Sequence, residues 1–177
     1  MRQAACVSDS IYKSRCLKRL RELGLPTEGW VCEWIEDTDE PEAVCELCGC
    51  ARVRFLHHMR HPMVGHTIAV GCLCDGIMSG DELGAYERER EARNRARRRQ
   101  TFIHGKWAPS WQSPHGTRWE KKMRGGSTCV IRQDADGRYA VWHGGRWCYR
   151  CRGQEMTTFD QAASALFTAN DPKRRQT

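Results

Sequence analysis

The feature that most constrains this chain is the stretch "CELCGC", Cys45 to Cys50, answered further along by "CLC", Cys72 to Cys74. Three thiols in six residues, in a chain with eleven cysteines, have three ordinary explanations: disulfides, catalysis or metal ligation. The opening "MRQAACVSDS" has no apolar run of the kind a signal peptide needs, and no stretch reaches the length of a membrane span. These features point to a cytoplasmic, reducing compartment. There, clustered cysteines hold metals or do chemistry more often than they pair. Eleven is also an odd number, which fits poorly with full pairing.

Cys45 and Cys48 make a knuckle. Two thiolates separated by two residues reach one metal when the backbone turns tightly, and Gly49 permits that turn. Two strand-like runs follow, "RVRFLHHMRH" and "TIAVG", and a hairpin built from them returns Cys72 and Cys74 to the knuckle. Cys45, Cys48, Cys72 and Cys74 then form a closed tetrahedral zinc site, structural in kind. Cys74 leads for the fourth position because one residue separates it from Cys72, and Cys50, His58 and His61 are alternatives. The competing reading is that these cysteines are small buried apolar residues. The polar, glycine-containing surroundings of Cys45 and Cys48 argue against it.

The spacing predicts a helix over residues 10–23, with Ile11, Cys16, Leu20 and Leu23 near one stripe. "WVCEWI" predicts a strand with Trp30, Cys32 and Trp34 on one face, and "EDTDEPE" an acidic loop. His57 and His61 fall on one face of the next strand and His58 on the other. Ser79 to Glu82 matches a capping box opening a helix to about Arg99. Apolar residues give out along that helix, so its Arg-rich end is expected to fray.

Residues 101–126 read as a connector joining the metal-binding part, residues 1–100, to a β-β-β-α module over residues 127–171. Its strands are "STCVIRQ", "GRYAVWH" and "RWCYRCRG", its helix "TTFDQAASALFTA" opens at Thr157 and Asp160, and the tail "DPKRRQT" is expected to fray. The fold class is thus α+β: a zinc-bound hairpin with flanking helices, plus this small module. Alternation places Ile131, Tyr139, Val141, Trp147 and Tyr149 against the helix. Arg132, Arg138, Trp142, Arg146, Arg150 and Arg152 then share the free face. Guanidinium groups interleaved with an aromatic ring suit nucleic acid, by phosphate pairing and base stacking. Cys148 and Cys151 stand three apart, so in a regular strand they point to opposite faces and cannot share a metal without a bulge; they read as structural, with a second metal site as the minority alternative.

The pattern "CELCGC…RFLHHMRHP…VGCLC" resembles zinc ribbons and treble clefs: a knuckle, a β-hairpin, then a ligand pair at a helix start. Over about residues 17–98 it also resembles a set of small proteins of bacterial mobile elements. That resemblance implies metal binding and brings no established activity. The second pair departs from treble clefs in having one intervening residue where two are usual, which bears on Cys74 more than on Cys72. "GQEMTTFDQAASALFTA", Gly153 to Ala169, resembles the strand-to-helix junction of Apetala-type and phage-integrase arm-type DNA-binding domains. That resemblance covers about residues 127–169. It implies a sheet laid on DNA with a helix behind it.

Lys and Arg total 29 against 22 Asp and Glu, a balance that favours an anionic partner. The leading reading is a zinc-stabilised, non-catalytic nucleic-acid-binding protein directed to DNA, in the role of a mobile-element regulator. An adaptor that binds a protein partner in host machinery ranks second. A histidine- and metal-dependent nuclease ranks third, because no carboxylate pair lies near the histidines in sequence, where Asp75 and Asp81 are the candidates. No membrane partner and no small-molecule substrate is indicated.

Overall fold

Tyr12, Cys16 and Leu20 recur four residues apart and line the packed side of the first helix, α1 (Arg2–Glu22). The computed structural model describes residues 2–123 and 126–171, and the chain divides into two units that meet in sequence at Ala96 and Arg97. Four helices and several antiparallel sheets lie among the described residues, an α+β chain. No helix among them is long and apolar enough to cross a membrane. The segment "PKRRQT" lies outside the described residues.

In the first unit, strands β1 (Val31–Asp37), β2 (Phe55–Arg60) and β3 (Ile68–Val70) form an antiparallel sheet in that order. Helix α2 (Cys72–Ser79) and the start of α3 (Glu82–Ile103) complete it. The core gathers Leu20, Trp30, Met59, Val70, Ile77 and Met78. Three local expectations change. Ile11 and Leu23 are exposed, so the buried stripe of α1 is the Tyr12–Cys16–Leu20 row. The register of β1 against β2 shifts between Cys32 and Trp34, as at a bulge. Ile35 therefore takes the inward place that alternation gave to Trp34. Ser79 does not cap α3. Its hydroxyl donates to the Asp75 carbonyl, and Asp81 accepts from the Gly84 amide instead.

Helix α3 also differs at its far end. It does not stop near Arg99 but continues to Ile103, where Phe102 and Ile103 are buried in the core of the second unit. Arg98 there pairs with Asp171 at 2.9 Å. Two apolar residues and this pair anchor the end that charge alone predicted to fray.

The expected connector is itself sheet. β4 (Ala108–Ser113) and β5 (Gly116–Lys122) join β6 (Thr128–Asp134), β7 (Tyr139–His143) and β8 (Arg146–Cys148) in one five-stranded sheet, in chain order. Pro109 is tolerated because β4 is an edge strand. β9 (Arg150–Cys151) and β10 (Gln154–Glu155) form a small separate hairpin. Helix α4 (Phe159–Asn170) packs Ala162, Ala163, Leu166 and Phe167 in one core with Ile131 and Val141. Its cap is Thr158, one residue later than expected, in a reciprocal box with Gln161.

Candidate metal centre and basic sheet face

The knuckle forms as the spacing predicts. The Gly49 amide donates to the Cys45 carbonyl at 2.9 Å, with Gly49 in the left-handed region at φ 74°. The β2–β3 hairpin then leads through Gly71 into α2. Three thiols converge: the sulfurs of Cys45, Cys48 and Cys74 lie within 4.8 Å of one another. This group can hold a metal ion. Cys45 and Cys74 are buried and Cys48 is exposed.

Cys72 is not part of that group, contrary to expectation. Cys72 and Cys74 both stand in the first turn of α2, two residues apart. At 3.6 residues per turn their side chains diverge by about 200°. One faces the knuckle and the other faces away. The proposed alternatives are occupied elsewhere. His58 stacks on Trp34 with ring centroids 4.3 Å apart and contacts Glu36 at 2.9 Å. His61 lies against Trp30 and accepts from the Met63 amide. Cys50 is exposed and outside the group.

A thiol that sequence reasoning did not bring to this site is Cys16, which stands beside Cys74 but outside the three-thiol group. Its sulfur lies 3.9 Å from that of Cys74. Four thiolates around zinc at about 2.3 Å define a tetrahedron with edges of about 3.8 Å. The Tyr12 hydroxyl, one turn earlier on α1, sits 3.1 Å from the Cys74 sulfur. Charge is distributed unevenly in this cluster. Cys74 donates to Cys45, which holds the Cys45 thiol below its ordinary range and pushes Cys74 above its own. Burial raises Cys16, and burial together with contacts to Cys48 and Cys74 raises Tyr12. Metal coordination would relieve the crowding by taking all the sulfurs as thiolates. The signal for Cys16 was present in sequence only as its place in the row with Tyr12 and Leu20.

On the opposite side of α2 a second polar cluster surrounds His57, which is fully buried. Its Nδ1 lies 2.6 Å from Asp75, and Asp75 also accepts two hydrogen bonds from Arg88 Nη2, at 2.9 and 3.0 Å. Glu89 approaches Nε2 at 3.5 Å. Two carboxylates thus flank a histidine, a pair that linear sequence did not bring together. Burial opposes protonation of His57, but Asp75, Cys32 and Glu89 outweigh it and push the ring up to about 10. Burial and the neighbouring Glu89 push the Cys72 thiol up to about 12.

Comparison of the chain with protein-family models, with curated proteins and with solved structures finds no match.

The five-stranded sheet has two unlike faces. Ile131, Val141 and Cys148 are cross-strand neighbours and share the core with α4. Arg132 stands opposite Arg118 on one side and Ala140 on the other, which places all three on the outer face. Trp142 pairs with Trp147, and their rings meet edge to face at 5.4 Å. Trp111 pairs with Arg118 and is exposed, as is Trp142. The Arg132 guanidinium lies 4.3 Å from the Trp147 ring centroid and hydrogen-bonds the Tyr149 hydroxyl.

Strand β8 is thus out of register with the sequence expectation. Trp147 and Tyr149 do not pack on α4, and Cys148 does. The cause is the two-residue turn Gly144–Gly145, with φ 59° and 77°, which sets His143 opposite Arg146. Trp142 and Trp147 then have to share a face. Arg132 and Trp142 stay outward, and Arg138 lies over Tyr149 while paired with Asp134 and Asp136. Arg146 falls on the alternate side, at an exposed strand end. Arg150 leaves the main sheet for the small hairpin and pairs with Glu155 at 3.6 Å. Arg152 sits at that hairpin's turn with φ 52°. The break between β8 and β9 also lets Cys148 and Cys151 both contact the core, against the expectation of opposite faces.

Proposed function

We propose that this chain is a zinc-stabilised, non-catalytic nucleic-acid-binding protein that lays the outer face of its five-stranded sheet on DNA. The observation that carries the reading is the composition of that face. Arg118, Arg132 and Arg138 alternate there with Trp111, Trp142, Trp147 and Tyr149. Arginine supplies phosphate pairing or bidentate contact to guanine, and exposed indoles supply stacking and packing on sugars. Trp147 beneath Arg132 orients the guanidinium and keeps its direction fixed before any contact. A net charge of +7 favours encounter with a polyanion.

Zinc in this reading is held by Cys45, Cys48 and Cys74 with Cys16 as the fourth ligand. The support is the 3.9 Å sulfur separation across α1 and α2 and the all-thiolate donor set, which suits zinc. A closed set of four gives the ion no open position, so its contribution is folding energy. The order of knuckle, hairpin and helix supports the treble-clef likeness.

The test is fluorescence anisotropy of a labelled duplex titrated with the full chain at several salt concentrations. Binding should weaken with salt, since phosphate contacts release counterions. Arg132→Ala should lower the logarithmic salt slope by about one unit. Absence of any salt-dependent binding would remove the nucleic-acid reading and leave a protein-binding adaptor as the better account.

A further inference from the structure

The cluster on the far side of α2 is not used by the four-thiolate site. It is a chain of fixed groups. Arg88 donates through Nε and Nη2 to the buried Asp75 carboxylate, and Asp75 in turn holds His57 Nδ1. His57 is wholly buried, and its other nitrogen, Nε2, makes no hydrogen bond. That nitrogen faces Cys72 and Glu89, and one ligand atom from each of the three residues lies within 4.8 Å of the others. Glu89 is itself steadied by Arg93, which bonds one carboxylate oxygen, while the other oxygen stands 3.5 Å from Nε2. An edge of about 3.3 Å is what nitrogen and oxygen ligands at about 2.0–2.1 Å from a tetrahedral ion require.

We propose that His57 Nε2, Cys72 Sγ and the Glu89 carboxylate form a second metal site, separate from the cysteine cluster, for zinc or a divalent ion of similar preference. A metal-bound histidine characteristically gives its remaining N–H to a carboxylate, which fixes the ring and its tautomer. Asp75, anchored by Arg88, is that carboxylate. An alternative group, Cys32 with His57 and Asp75, lies on the Nδ1 side, but its carboxylate is already engaged by Arg88 and His57. The donors left available are those around Nε2. Nitrogen, sulfur and oxygen ligands in one set match zinc's borderline character. Three protein ligands, two of them only half-buried, leave a fourth position for water, unlike the closed thiolate site.

The experiment is metal analysis of the full chain after reconstitution with excess zinc and removal of loosely bound ion, with cobalt(II) absorption in parallel. The wild-type chain should hold two equivalents. Cys72→Ser and Glu89→Gln should each hold one, with the intense sulfur-to-cobalt band of the thiolate cluster retained. Folding of each variant is checked by circular dichroism, and Glu89→Gln preserves the shape of the side chain if Cys72→Ser disturbs α2. Two equivalents retained in both folded variants would overturn the proposal. So would a single wild-type equivalent that shows the intense band and survives Cys72→Ser. A single equivalent without that band, lost in Cys72→Ser, would sustain this site and remove the four-thiolate one, so the two ideas fail separately.

Discussion

Replacing Cys16 with serine tests whether α1 closes the metal site. In the wild-type chain its sulfur is 3.9 Å from that of Cys74, close to one edge of a four-thiolate tetrahedron. A structural zinc site of this kind is worth about 10–16 kcal/mol. Shared among four ligands, each thiolate accounts for about 2.5–4 kcal/mol of that. Cys16→Ser should therefore weaken zinc binding by about two to three orders of magnitude, at about 1.4 kcal/mol per decade. Competition against a chromophoric chelator reads this directly. Because Tyr12 and Leu20 still pack on the same side of α1, the helix should remain folded, so the loss is in affinity and not in helix content. Leu20→Ala serves as the packing control: it should destabilise the unit by about 2–5 kcal/mol while leaving the ligand set whole. An affinity for Cys16→Ser within twofold of wild type would refute the reasoning. The site would then be the three thiols of Cys45, Cys48 and Cys74 with a non-protein fourth ligand.

Asp75→Asn should cost about 3–5 kcal/mol in denaturant unfolding, because it leaves Arg88 and His57 without their buried counter-charge; a loss below about 0.5 kcal/mol would show that the network is solvated. Trp142→Ala should weaken duplex binding while lowering the thermal midpoint of the second unit less than Trp147→Ala does, since both lose the edge-to-face pair but Trp142 is the more exposed ring and does not lie beneath Arg132. Trp147→Ala should reduce both, because it removes an edge-to-face partner and the support beneath Arg132; unchanged DNA binding in a folded Trp147→Ala would separate that stack from function. Phe102→Ala should destabilise the second unit by about 3–5 kcal/mol and speed hydrogen exchange in the last turns of α3. Slow exchange retained there would mean that Ile103, with the contacts of Arg98 to Asp171 and of Arg99 to Ser164, holds the helix end without Phe102.

The knuckle was legible because its chemistry is local: two cysteines, a fixed spacing and a glycine. Cys74 joined it because hairpin topology demands a return. The approach of Cys16 to Cys74 was not legible, since a thiol in the packed row of a helix reads the same whether it meets another thiol or a methyl group. Cys72 falls outside the three-thiol group for a reason that lies in the period of the helix. Adjacent cysteines look like a pair in a strand or loop, but two residues apart on α2 they point in nearly opposite directions. The outward places of Arg132 and Trp142 followed from alternation. The outward place of Trp147 was not legible, because the register of "RWCYRCRG" is set by the Gly144–Gly145 turn and not by alternation within the strand. The strands of residues 108–122 were hidden by Pro109, whose restriction matters little on a sheet edge. Glu89 and His57 meet only through the tertiary fold, beyond the reach of any local pattern.

The single residue between Cys72 and Cys74 has an evolutionary consequence. Leu73 is exposed, so its chemical identity is nearly unconstrained. Its presence is another matter. Deleting it would turn the thiol at position 74 by one residue's rotation relative to Cys72, about 100°, and inserting a neighbour would turn it as far the other way. Either change would draw a sulfur from the side of the helix it serves. This position should therefore drift freely in type among descendants of the chain while remaining fixed in length, and an insertion or deletion there should be rarer than any substitution.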